Sequence, residues 1–128
     1  MKKLIAVLIT SVFALTACGA TGAITTMNVS DFAHKVSDKS VVLLDVRTPA
    51  EFASGHIAGA TNIDFESGNF ENDIASLDKS KSYAVYCRSG NRSGQATALM
   101  AKAGFKSIFN LDGGIINWQN AGNSVVTN

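Results

Sequence analysis

The chemistry in this chain gathers in one short segment, Cys87-Arg88-Ser89-Gly90-Asn91-Arg92-Ser93. A thiol is followed by two guanidinium groups, and between them stand Gly90 and Asn91, which tolerate the left-handed backbone that a tight cradle needs. Where such a loop opens a helix, successive N–H groups and the positive end of the helix converge on the sulfur and favour an anion there. Those donors, with Arg88 and Arg92 nearby, stabilise the thiolate over the thiol and lower its pKa. The segment therefore reads as a nucleophilic cysteine, Cys87, that handles small anionic substrates.

Such a loop needs a strand before it and a helix after it, and the flanking patterns supply both. Residues 83–86 form an apolar run after the polar turn Asp78-Lys79-Ser80-Lys81, and Ala96, Leu99, Met100 and Ala103 recur at helical spacing before Gly104 ends the helix. Residues 41–46 are an unbroken β-branched and aliphatic run, the mark of a strand covered on both faces. Thr48, Pro49 and Glu51 combine a cap, a proline at the first helical position and a glutamate three residues after the cap, so a short helix starts there and stops near Gly55.

Weaker patterns complete the outline. Val29-Ser30-Asp31-Phe32 opens an early helix with Ser30 as the expected cap. Residues 60–63 read as a short strand, 69–77 as a weak helix and 107–111 as a third main strand. Asp112-Gly113-Gly114 turns into a last helix with Ile115, Ile116 and Trp118. Alternating strands and helices predict an α/β fold with a mainly parallel central sheet and helices on both faces, because parallel neighbours need crossovers. Sites in such sheets form beyond the carboxyl ends of the strands, which selects the loops carrying Arg47 and Cys87.

The first residues follow a different logic. Lys2 and Lys3 precede an uncharged, mostly apolar run from Leu4 to Leu15, too short for a relaxed membrane span and matched to an export signal. Leu15-Thr16-Ala17-Cys18 resembles the bacterial lipobox, in which two small residues precede the cysteine that receives the lipid. The expected organisation is a lipoprotein signal peptide over residues 1–17, a lipidated tether over 18–26 and one folded domain over 27–128, held at the bacterial cell envelope with the domain in the periplasm. With Cys18 committed to lipid, Cys87 has no cysteine to pair with, and an unpaired thiol in an exported protein is either reactive or buried and inert.

Composition narrows the partners. The chain has 128 residues, 46% hydrophobic and 16% charged, which fits a single globular domain rather than a disordered chain. A net charge of +1 without a basic stripe argues against nucleic acid as a partner.

The chain as a whole resembles the single-domain rhodaneses, sulfurtransferases of the thiosulfate type. Residues 87–93 match the family's active loop and Asp45-Val46-Arg47 its first strand end. Gly55-His56-Ile57-Ala58-Gly59-Ala60 matches its Gly-His-Ile turn, and Leu111-Asp112-Gly113-Gly114-Ile115 with Trp118 its C-terminal segment. The resemblance implies a rhodanese-like three-layer fold and a two-step reaction. Cys87 takes a sulfane sulfur from an anionic donor such as thiosulfate as a persulfide, then passes it to cyanide or a thiol, with no metal or organic cofactor.

The same resemblance implies roles. Cys87 is the persulfide carrier, the segment of Arg88, Ser89, Gly90, Asn91, Arg92 and Ser93 is the substrate cradle, and the arginine side chains attract the donor. Asp45 and Arg47 are expected to brace loop and helix. His56 belongs to a turn rather than acting as a base, since a low-pKa thiolate needs none. His34 is expected in solvent and Trp118 in the core. Cysteine phosphatases and arsenate reductases have similar loops, but with five residues between cysteine and arginine. Here only four, Arg88 to Asn91, separate Cys87 from Arg92, which shortens the reach by up to about 3.5 Å. That suits one sulfur atom better than a tetrahedral oxyanion. A non-turnover carrier or sensor of persulfide is the reading from another class.

Overall fold

The computed structural model describes residues 20–128; the expected signal over residues 1–17 and the lipidation candidate Cys18 lie outside the described residues. Five strands, β1 (Ile24–Met27), β2 (Val41–Asp45), β3 (Thr61–Asn62), β4 (Ser82–Tyr86) and β5 (Ser107–Leu111), form one sheet. Their order is β1-β5-β4-β2-β3, with every pairing parallel. The helices are α1 (Val29–Val36), α2 (Pro49–Ser54), α3 (Phe70–Ala75), α4 (Asn91–Lys102) and α5 (Gly114–Asn120), so the α/β expectation holds.

Alternation along the central strands divides the core into two. Leu44, Val46, Tyr83, Val85, Cys87 and Ile108 face Phe70, Ile74, Ala96 and Met100 on the α3 and α4 side. Leu43, Ala84, Tyr86 and Leu111 face Phe32, Ile115 and Trp118 on the α1 and α5 side. Both faces of β4 are therefore covered, which is why its sequence shows no polar alternation. β4 runs between β5 and β2, and its carboxyl end opens between the ends of both neighbours.

Two local expectations change. Residues 24–26, assigned from sequence to the tether, belong to the sheet: Ile24, Thr25, Thr26 and Met27 lie in register with Ile108, Phe109, Asn110 and Leu111. The reason is that β5 would otherwise be an open edge, and three β-branched residues suit a strand there. The Met27 carbonyl also accepts the Asp112 N–H at 2.9 Å, which ties β1 to the turn before α5. Asn28 rather than Ser30 caps α1, its side chain accepting the Asp31 N–H at 2.8 Å. Thr48 and Pro49 start α2 as expected, and Gly55 ends it.

Because β1 is structural, a chain shortened to begin at Asn28 should unfold at lower urea than one beginning at Ala20. The expected loss is at least about 2 kcal/mol, the order contributed by burying one large apolar side chain. Equal unfolding midpoints would mean that β1 does not stabilise the domain.

Candidate active site

β4 delivers Cys87 to the end of the sheet with 1% exposure, and the chain then turns sharply into α4. The turn depends on Gly90, whose φ of 105° lies in the region closed to other residues at ordinary cost. Gly90 occupies the cap position of α4, and no side chain caps the helix there. The sulfur lies just before the helix: the Gly90 N–H donates to Cys87 Sγ at 3.1 Å, and the Ser93 hydroxyl oxygen lies 3.4 Å from it. Burial pushes the Cys87 thiol up, but hydrogen bonds from the Ser93 side chain and from the amides of Ser93, Gly90 and Ser89 outweigh it. The pKa falls below the ordinary thiol value.

α5 holds the loop from outside. The N–H groups of Ile115 and Ile116 donate to the carbonyls of Cys87 and Arg88 at 2.9 and 3.2 Å, which turns those carbonyls away from the sulfur. This approach requires Gly114, since a Cβ there would collide with both carbonyls. The Asp-Gly-Gly segment read from sequence as a turn is thus the part that sets the loop's orientation.

The two arginines part company. Arg88 is exposed and makes no side-chain hydrogen bond or ion pair to the described residues. Arg92 is tied down: its two terminal nitrogens meet the Glu51 carboxylate oxygens at 2.8 and 2.9 Å, and Glu66 lies 3.4 Å from one of them. Hydrogen bonding to Arg92 holds the Glu51 carboxyl down at about 2, so it is a carboxylate throughout the neutral range. Asn91 and Ser89 are exposed at the rim, and the Asn91 side chain accepts from Gln95 at 3.0 Å. Sequence reasoning read Glu51 only as part of a helix start. Its link to Arg92 spans 41 positions, and no local pattern announces it.

Asp45 and Arg47 do not face the loop as a substrate site. Asp45 is fully buried and Arg47 nearly so, joined through Arg47 Nε and one terminal nitrogen, which also donates to the Gly55 carbonyl at 2.7 Å. Tyr86 Oη accepts the Ile57 N–H at 3.0 Å, and burial together with the Asp45 charge pushes its phenol pKa up. This network braces the Gly-His-Ile turn against the ends of β2 and β4. His56 is buried, stacks on Phe52 at 3.7 Å between ring centroids, and pairs its backbone with Val126 in both directions at 2.8 Å. It is a turn residue, as expected. Trp118 packs its ring against Phe32 in the core, and His34 is exposed. Among the described residues no three His, Cys, Asp or Glu side chains come together as a metal set.

Comparison with known proteins agrees with this geometry. The rhodanese-like domain family matches residues 28–121. A sulfurtransferase of Allochromatium vinosum is 38% identical over 88 residues, covering 69% of this chain and 80% of that protein. The thiosulfate sulfurtransferase GlpE of Stutzerimonas stutzeri is 34% identical over 87 residues, covering 68% of this chain and 78% of that one. Among solved structures, a rhodanese-related protein from Thermoplasma volcanium superposes with a TM-score of 0.72 at 33% identity, over 80% of this chain and 98% of its own.

The hydroxyl of Ser93 makes a checkable contribution. Ser93→Ala removes a donor that offsets the burial of Cys87, so the pH midpoint for alkylation by iodoacetamide should rise and the rate at pH 7 should fall. An unchanged midpoint would show that the backbone amides hold the thiolate without the hydroxyl.

Proposed function

Because the chain belongs to the rhodanese-like domain family, we propose that it is a sulfurtransferase working through a persulfide on Cys87. The observation that carries this reading is the sulfur seated at the start of α4, with the Gly90 N–H directed at it, the Ser93 hydroxyl oxygen 3.4 Å away and its pKa lowered. In the first step the Cys87 thiolate attacks the outer sulfur of thiosulfate. A sulfur–sulfur bond forms to Cys87, the bond to the central sulfur breaks, and sulfite leaves with the electron pair. In the second step cyanide or a thiolate attacks the outer persulfide sulfur, and the Cys87 thiolate is regenerated with the pair from the broken bond. The lowered thiol pKa reduces the need for a base at the site in either step. The amides that stabilise the thiolate are also suited to the terminal persulfide anion.

The residues before the domain support a location. Lys2, Lys3, the apolar run that follows and the Leu15-Thr16-Ala17-Cys18 motif fit an exported protein lipidated at Cys18, with its domain at the bacterial envelope. Replacing Cys18 by alanine should abolish uptake of labelled fatty acid; equal labelling of the two forms would remove the anchor from this account.

The sulfur chemistry is tested by intact mass on protein prepared without its anchor. With thiosulfate and no acceptor it should gain one sulfur atom, lose it on adding cyanide and release thiocyanate, and Cys87→Ser should do none of this while staying folded. Transfer by the serine variant would refute the mechanism. Gain of sulfur without turnover would instead make the protein a persulfide carrier or sensor, and hydrolysis of an aryl phosphate with no sulfur gained would make it a phosphatase.

A further inference from the structure

Charge at the mouth of the site is balanced in a way that bears on the donor. A thiolate that accepts sulfur from thiosulfate must be approached by a dianion, so a site built for that donor needs uncompensated positive charge. Two guanidiniums stand on the loop, Arg88 and Arg92. Arg92 is gripped end-on by both oxygens of Glu51, at 2.8 and 2.9 Å, and approached by Glu66 at 3.4 Å. Its two terminal nitrogens, the ones that would fork around an incoming anion, are already directed at carboxylate oxygens. Among the described residues Arg88 is then the one loop cation with no carboxylate partner, and its single charge only offsets the thiolate itself. Arg92 is the neighbour of Ser93, whose hydroxyl oxygen lies 3.4 Å from Cys87 Sγ, and the Cys87 charge helps to raise the Arg92 pKa.

We propose that Glu51 is a specificity residue, which cancels Arg92 at the mouth and so tunes the site to sulfur donors of low charge. The class indicated is a donor with at most one negative charge near its sulfane sulfur, such as an organic thiosulfonate or a persulfide of a small thiol, with thiosulfate a poorer substrate. This rests on the sulfur-transfer reading and adds the class of donor to it. Glu51 also helps to start α2, where its Oε1 lies 3.2 Å from the Thr48 hydroxyl. Glutamine serves at that position of a helix start as well as glutamate does, so Glu51→Gln removes the charge and keeps the fold.

The test compares thiosulfate, a dianion, with methanethiosulfonate, a monoanion, using cyanide as acceptor at low ionic strength. Attack on the thiosulfonate releases methanesulfinate and leaves the same persulfide, so chemistry after the first step is shared. A change in potential acts on each donor in proportion to its charge. Glu51→Gln should therefore raise kcat/KM about tenfold for thiosulfate and about threefold for the thiosulfonate, with both gains shrinking as salt is added. Glu66→Gln, at a side chain 56% exposed in the short 3-10 turn Phe65–Ser67, should move both in the same direction by smaller factors. Equal changes for the two donors, or a common fall in kcat with a lowered melting temperature, would make Glu51 a brace only and overturn this proposal while sulfur transfer stands. A wild-type protein that gains sulfur from neither donor would overturn both.

Discussion

A helix start without a side-chain cap is the constraint on which the site rests. No side chain caps α4, whose cap residue is Gly90, and the sulfur of Cys87 lies just before the helix, accepting the Gly90 N–H at 3.1 Å. A buried thiol would ordinarily resist ionisation. Here the cost of burial is exceeded by hydrogen-bond donors around the start of α4, so the same geometry lowers the pKa of the thiol. Everything around the loop keeps those N–H groups aimed inward: the positive φ of Gly90, the amides of α5 on the outer carbonyls, and the close approach allowed by Gly114.

Two ion pairs near this loop have different physical meanings. Asp45 and Arg47 are withdrawn from water, and losing one partner of such a pair costs about 3 to 5 kcal/mol because the other is left charged and buried. Their function is to hold the turn at residues 55–57 to the strand ends, and they are too enclosed to serve a substrate. Glu51 and Arg92 are partly exposed, so their attraction adds little to stability. The pair leaves the Arg92 guanidinium as half of a neutral pair rather than a free cation.

Much of this could be read from the chain because it is encoded locally. The runs at residues 41–46 and 83–86 are strands buried on both faces, and their lack of alternation says so. Thr48, Pro49 and Glu51 start a helix through contacts within one turn, and the loop's glycine, serines and arginines declare an anion cradle before any fold is known. By contrast, residues 24–26 carry too little pattern to stand as a strand alone; they are ordered because β5 offers an edge, which no window around Ile24 contains. Asn28 won the cap of α1 from Ser30 for a similar reason, since β1 ends just before it and fixes where the helix can begin.

The sequence alone therefore determined the fold class and singled out Cys87 and its loop as the candidate site, because propensity, capping and hydrophobic period act over a few neighbouring residues. Only the tertiary structure decided which side chains complete the site. It set Ser93 Oγ beside the sulfur, turned Arg47 inward to Asp45 and Gly55, and closed Glu51 on Arg92 across 41 positions while leaving Arg88 exposed. Electrostatic pairing depends on distance through space, and that distance exists only after the sheet has brought the ends of β2 and β4 together.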